Sequence, residues 1–366
     1  MLAQDSILWY SFFAMKEESG GRVFVAMSGG VDSSVAAALL KEQGYDISGV
    51  FMQGWTNPNF ECNWLSERQD AARVAAVLEI PFRALDFSRE YYERVVSYLI
   101  SEYKAGRTPN PDVMCNREIK FGLFYKWAME QGADFIATGH YVRRDCEKLF
   151  IAKDANKDQS YFLWTLTPEI ISHTLFPIGE YTKPEIRALA KKYGLPTAEK
   201  KDSQGICFVG PAAAGGSIAN FLKDYIPATR GLIETASGRV VGEHDGVEFY
   251  TIGQRHGIGA RGGAGEPLYV AEKNMQTATL VVAAEHEKST LYKNELHFNN
   301  TNWLCPTPSV GHLECEARIR YRQPLQKCTV FSEQKVVFEE PQRAVTPGQS
   351  VVFYKDGELL GGGVIS

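Results

Sequence analysis

No stretch of the 366 residues is apolar for long enough to cross a membrane. No basic residue precedes the apolar run from Ile7 to Met15, and no arginine occurs before Arg22, so neither a secretory signal nor a mitochondrial presequence is expected. Met15 reads as the natural start, with the first 14 residues dispensable and residues 1–20 an extension outside the folded core. Cysteine is scarce and odd in number, seven in all, which argues against a disulfide framework and for a reducing cytoplasm. No CxxC pair is present, so Cys305, His312, Cys315 and Cys328 lack zinc-site spacing. Neither Cys62 nor Cys146 completes an iron–sulfur cluster spacing with other cysteines, and no metal ligand set is expected. An excess of positive charge is missing too: the net charge is −5, so any RNA partner must be held by local basic patches. Internal repeats, low-complexity segments and a Walker-type GxxxxGKS/T loop are all absent.

What is present is ordinary for a globular protein of two or three domains, 44% hydrophobic and 23% charged. The most informative stretch is Ser28-Gly29-Gly30-Val31-Asp32-Ser33-Ser34, set between the apolar run Val23–Met27 and a helical pattern from Val35 to Gln43. Strand, glycine turn and helix N-terminus in that order make a polyphosphate cradle: glycines let backbone N–H groups close on the anion, and the helix end is partly positive.

From Val23 to about Ile136, strand candidates Val23–Met27, Asp46–Met52, Phe82–Phe87 and Asp134–Thr138 alternate with helices. Ser66 and Ser88 precede two of those helices, Gly44 and Gly106 stop two, and Thr182 with Pro184 opens another that Gly194 closes. This pattern predicts an α/β fold, a doubly wound parallel sheet with ligands beyond the carboxyl ends of its strands. After about Gly215 the texture becomes glycine-rich and β-branched, apart from a helix at Ser217–Tyr225, and Asp356-Gly357 marks a hairpin. The expected domains are 1–216, binding nucleotide, 217–290, a small linker, and 291–366, a β-barrel-like domain contacting RNA.

Two further segments carry chemistry. Thr108-Pro109-Asn110-Pro111-Asp112-Val113-Met114-Cys115-Asn116 is a stiff loop leading into a helix, which places Cys115 at a helix N-terminus, where a thiolate is stabilised, with Asp112 upstream to move a proton. Cys207 lies between Gly205 and Gly210 in a segment free to move; on residue type alone it is as well read as core. Arg318, Arg320 and Arg322 fall at period two and would share one strand face, suited to phosphates; Lys191-Lys192 and Lys200-Lys201 are further basic patches.

The SGGxDS loop is similar to that of the PP-loop ATP pyrophosphatases, which cleave between the α- and β-phosphates. With Phe51-Met52 and Trp55, Pro109 to Asn116, Ala137-Thr138-Gly139-His140-Tyr141, Lys157-Asp158-Gln159-Ser160-Tyr161, Gly205-Ile206-Cys207-Phe208, Thr251 to Arg255 and Arg318 to Arg322, the chain from about Val23 onward resembles the tRNA-specific 2-thiouridylases. That resemblance implies ATP with Mg²⁺ on Ala26, Met27, Ser28, Gly29, Gly30, Val31, Asp32 and Ser33, with Met52 and Gly139 lining the pocket. It implies adenylation of the wobble-uridine O2 in the anticodon stem-loop and sulfur delivery from a persulfide on Cys207. A transient Cys115–Cys207 disulfide would follow, with Asp112 as acid/base. It further implies a persulfide donor, a cysteine desulfurase or relay protein, and a reductant. The tRNA contacts it implies are Asn110, Pro111, Asp112, His140, Lys157, Asp158, Gln159, Arg320, Tyr321 and Gln349. Rival readings are a ligase or amidating synthetase acting on a small metabolite, and an inert tRNA-binding or sulfur-carrier module.

Overall fold

The computed structural model describes residues 20–58, 64–202, 205–206, 208–209, 217–259, 266–305 and 311–366. The chain divides into two compact units, Met1–Tyr92 with Val113–Gln204 and Asp356–Leu359, and Glu93–Asp112 with Gly205–Lys355 and Leu360–Ser366. Cys62 and Cys207 lie outside the described residues.

In the first unit β1 (Arg22–Ala26) leads through the glycine turn into α1 (Val31–Glu42), followed by β2 (Asp46–Gln53), α2 (Trp64–Val77) and β3 (Phe82–Asp86). The chain then returns to the other side of β1 as β4 (Phe135–Ala137). Two short hairpin strands, β5 (Arg143–Asp145) and β6 (Lys148–Phe150), precede β7 (Thr174–Leu175) and the helix Lys183–Lys192. The sheet order is β3-β2-β1-β4-β7, and every pairing in it is parallel. Val23, Phe24, Val25 and Ala26 of β1 are all buried, as a strand covered on both faces requires. Val23 and Val25 join the core built on α1, whereas the Phe24 ring meets Trp127 at 5.0 Å.

The chain reverses direction across the sheet at β1, so the crevice beyond the ends of β1 and β4 is the topological switch point where such folds bind ligands. The expected stops at Gly44 and Gly194 hold, both taking positive φ after their helices, and so does the start at Thr182, whose N–H and hydroxyl both donate to Glu185; Ser66 and Ser88 do not precede their helices, which begin at Trp64 and at Ser88 itself.

The second unit carries a four-stranded sheet, ordered β10 (Leu268–Asn274), β11 (Thr279–Ala284), β8 (Gly231–Thr235), β9 (Val240–His244). It also carries six strands, β12 (Tyr292–Trp303), β13 (His312–Arg318), β14 (Gln326–Phe331), β15 (Lys335–Arg343), β16 (Ser350–Lys355) and β17 (Glu358–Ile365). Pairing of β12 with both β15 and β17 closes these six into a barrel around Leu296, Val336, Phe353 and neighbours. Asp356 and Gly357, at φ 52° and 80°, make the predicted two-residue turn before β17.

The arginine stripe is a misreading of this barrel. β13 ends at Arg318, Arg322 has φ 65°, and a turn follows, so the three guanidinium groups do not share a strand face. Arg318 is instead buried over the Tyr354 ring at 4.7 Å.

Candidate active site

The glycine turn is shaped by close approach. Gly29 has φ 75°, and a Cβ there would lie 2.2 Å from the Glu67 carbonyl oxygen. The Ser33 hydroxyl accepts from Ser28 N at 3.2 Å and donates to Gly30 O at 3.1 Å, while the Ser34 hydroxyl donates to the same carbonyl at 2.7 Å. Gly30 caps α1 without a side-chain hydrogen bond, so the first N–H groups of the helix are left for an anion. Gly139, just beyond β4, completes the cradle: a Cβ there would sit 2.6 Å from Ser33 N and fill it. Ala26 and Met27 are buried beneath the turn and Met52 is half-buried at the end of β2.

Charges around this turn come from far along the chain. Lys183, 11% exposed, places its ammonium 2.8 Å from Asp32 Oδ1 and 2.7 Å from Asp202 Oδ1. Tyr141 donates its hydroxyl to Asp32 Oδ1 at 2.8 Å, and burial together with that carboxylate holds the phenol protonated. Asp202 also pairs with Lys157 at 2.6 Å and Arg187 at 3.2 Å. Burial opposes ionisation of Asp202, but hydrogen bonds from Lys157 and Lys183 outweigh it and bring its pKa down to about 2. Lys200 donates to Gly29 O at 3.0 Å and pairs with Asp70 at 2.7 Å. Lys191 and Lys192 pair with Glu199 and Glu42. Three of the four patch lysines are thus ion-paired, and Lys200 is part of the glycine-turn scaffold.

The expected position of Cys115 needs correction. The helix begins at Pro111, not at Cys115: the Asn110 side chain accepts from Asp112 N at 3.1 Å, as a capping residue does, and Pro111 occupies the first turn. Cys115 is the last residue of that short helix and opens a nine-residue π-helical stretch, Asn116–Phe124. Its thiol is half-exposed, whereas Asp112 is exposed in the first turn, where the helix end favours its negative charge. The next residue, Asn116, is buried and donates to Phe162 O at 3.4 Å. Wide-turn helix of this kind recurs at functional sites.

Other residues singled out by resemblance have structural partners. His140 is buried between Phe121 and Phe176, bonded to Thr138 Oγ1 at 2.8 Å, and burial, with Lys120 nearby, holds it neutral. Asp158, 3% exposed, accepts from Ala152 N, Ser160 N and the Ser160 hydroxyl. Gln159 Oε1 accepts from Tyr141 N at 3.0 Å. In the second unit Arg320 donates to Ile252 O, Ala344 O and Thr346 Oγ1, and Gln349 donates to Thr108 O and Pro109 O. Tyr321 lies beneath the Arg322 guanidinium at 5.1 Å.

Among the described residues no group of three or more His, Cys, Asp or Glu is arranged to hold a metal ion. Cys315 and Cys328 face each other across β13 and β14 with sulfurs 3.8 Å apart, both buried. Cys146 occupies the turn between β5 and β6, exposed, at φ 52°. No described helix is long and apolar enough to cross a membrane.

Comparison with known proteins adds to this geometry. Residues 21–211 match the family described as tRNA methyl transferase HUP domain, 219–284 its PRC-barrel domain, and 293–365 the aminomethyltransferase beta-barrel domain. The chain is 49% identical over 354 residues to tRNA-specific 2-thiouridylase MnmA 2 of Geobacillus kaustophilus, covering 94% of each chain. It is 48% identical over 354 residues, again 94% of each, to the MnmA of Halalkalibacterium halodurans. Among solved structures it is similar to the U34-tRNA thiolase NcsA from Methanococcus maripaludis, at 18% identity and TM-score 0.36, over 57% of this chain and 68% of that one.

Proposed function

Since the chain belongs to the tRNA-specific 2-thiouridylase family, we propose that it replaces the C2 oxygen of the wobble uridine of tRNA with sulfur, using ATP. It is a tRNA-uridine 2-sulfurtransferase. The full-length relationship to the 2-thiouridylases carries this reading, and the glycine turn closed by Gly139 supports it.

The C2 carbonyl of uracil is urea-like, and oxide leaves poorly. Attack of O2 on the α-phosphorus of ATP expels pyrophosphate and turns that oxygen into part of an AMP leaving group. The turn 28–33 and the N-terminus of α1 hold the phosphates, where backbone N–H groups meet charge that builds up in transfer. Asp32 would hold Mg²⁺, which screens the triphosphate when bound. Lys183 supplies the cation that this loop lacks by comparison with a Walker loop.

Sulfur arrives as a persulfide on Cys207. Its terminal sulfur attacks C2 as AMP departs; the Cys115 thiolate then attacks the inner sulfur, taking the S–S bond for itself and leaving the terminal sulfur, with the bond's electron pair, on C2. The product is 2-thiouridine with a Cys115–Cys207 disulfide, which an external dithiol reduces in a reducing compartment. Asp112, exposed on the first turn of its helix, exchanges the proton. Asn110, Pro111, Lys157 and Tyr321 contact tRNA, and a persulfide-bearing protein recharges Cys207.

Cys115→Ser and Cys207→Ser each test the relay. Both variants keep ATP binding and lose thiolation by about a thousandfold or more, read by nucleoside mass analysis. A ligase acting on a small metabolite would survive either change, and full thiolation by either variant contradicts the relay.

A further inference from the structure

Two thiols that the sulfur relay does not use face each other inside the barrel. β13 and β14 run antiparallel with Cys315 directly opposite Cys328, and β16 and β15 flank them, so that neither strand can slip in register. Directly opposed residues send their side chains to the same face. Here that face is the barrel core, where the two cysteines share a cluster with Phe338, Val351 and Phe353, are 9% and 4% exposed, and hold their sulfurs 3.8 Å apart. Both are free thiols.

An opposed antiparallel pair sets its Cα atoms about 4.5–5.5 Å apart, and a disulfide spans about 4.4–6.8 Å, so the strands need not move for these sulfurs to bond. Rotation about the two Cα–Cβ bonds is enough. From this register we infer that Cys315 and Cys328 form a disulfide site, oxidised by exchange with a low-molecular-weight disulfide. The Cys315 thiolate attacks one sulfur of the small disulfide and releases its other half as a thiol; the Cys328 thiolate then attacks the Cys315 sulfur and releases the second half. Two protein thiols and one small disulfide thus give one protein disulfide and two small thiols, which carry away both hydrogens. Cys315 is the more exposed and meets the oxidant first, while the hydrogen bond with Cys315, together with burial, keeps the Cys328 thiol protonated until then. Burial makes the exchange slow. The new bond closes the base of a hairpin whose turn, between Arg318 and Gln326, carries Arg320 and Tyr321. The site goes beyond the sulfur-transfer reading, which uses neither thiol.

The test holds the full-length protein to equilibrium in mixtures of reduced and oxidised glutathione, quenches in acid, alkylates the unfolded chain and maps its peptides by mass. As oxidised glutathione is raised, most molecules should yield the Cys315 and Cys328 peptides joined, two hydrogens lighter than the pair of thiols and free of glutathione, and dithiothreitol should part them. Glutathione on exposed Cys146 in the same samples is the control that the oxidant is competent. Stability is read in a Cys115→Ser background, where the proposed relay disulfide cannot form. Oxidation there should raise the thermal midpoint by about 3 °C or more relative to its effect on the same protein carrying Cys328→Ala. Cys315→Ala takes that place should Cys328→Ala fail to fold. Both thiols still alkylated at every glutathione ratio would overturn the inference. So would separate glutathione adducts on the two, a link of either to Cys305, or the same midpoint shift with and without the alanine.

Discussion

Lys183 shows what a single side chain can do when topology delivers it. The glycine turn carries no lysine of its own, and nothing in the sequence pointed to Lys183 as the cation beside it. Lys183 is 151 residues from Asp32, at the first position of an ordinary capped helix, so only the fold brings the two together. Asp202 has the same history: it sits among Lys157, Lys183 and Arg187, none adjacent to it in sequence. Its titration makes a prediction. The folded pKa, about 2, is below the ordinary aspartate value of 3.8, so the ionised carboxylate stabilises the fold above pH 3.8, and that contribution fades as pH falls toward 2. Asp202→Asn should therefore cost of order 1 kcal/mol, discounted for partial solvent exposure, near neutral pH. In urea denaturation the gap between the variant and wild type should narrow below about pH 4; a gap that widens in acid contradicts the assignment.

At the scale of elements, strands and helix ends were legible because their signals are local. The four expected strands of the parallel sheet all formed, each ending within a residue or so of the expected bounds; β1, β2 and β4 are largely buried, as strands covered on both faces are, while β3 is a half-exposed edge strand. The failures were also local in origin. Period-two arginines imitate a strand face, but β13 stops at Arg318 and the chain turns, with Arg322 in the left-handed region. Cys115 looked like a helix start because the prolines before it resemble a loop; Pro111 instead serves as the first helical residue, a place where a missing N–H costs nothing. Packing between elements makes a second prediction. In Gly139→Ala the new methyl would meet Ser33 N and Asp32 C, at 2.6 and 2.8 Å, on the backbone of α1. Neither atom is on a flexible side chain, so the helix start must shift away from the cradle. ATP affinity should fall by about tenfold or more, read by calorimetric titration, while the thermal midpoint drops by only a few degrees. Unchanged ATP affinity would place the nucleotide elsewhere.

For the molecule as a whole, the change of texture after Gly215 was legible, and so was an α/β fold followed by β structure. What the sequence did not reveal is that Glu93–Asp112 belongs with the β-rich unit while Val113 onward belongs with the nucleotide-binding one. That exchange depends on pairings such as Thr108 with Pro347, which no local pattern encodes. Its consequence is that the Asp112 loop and the glycine turn are held by different parts of the fold. The net charge of −5 gives no global field to draw in RNA. The most direct measurement combines the purified protein with ATP, Mg²⁺, a persulfide donor, a reductant and unmodified tRNA, and follows wobble nucleosides by mass alongside AMP and pyrophosphate. The account predicts one 2-thiouridine for each AMP and each pyrophosphate released, with no AMP formed when tRNA is omitted. Thiolation without ATP cleavage, or AMP released onto a small amine acceptor with tRNA unchanged, would contradict it.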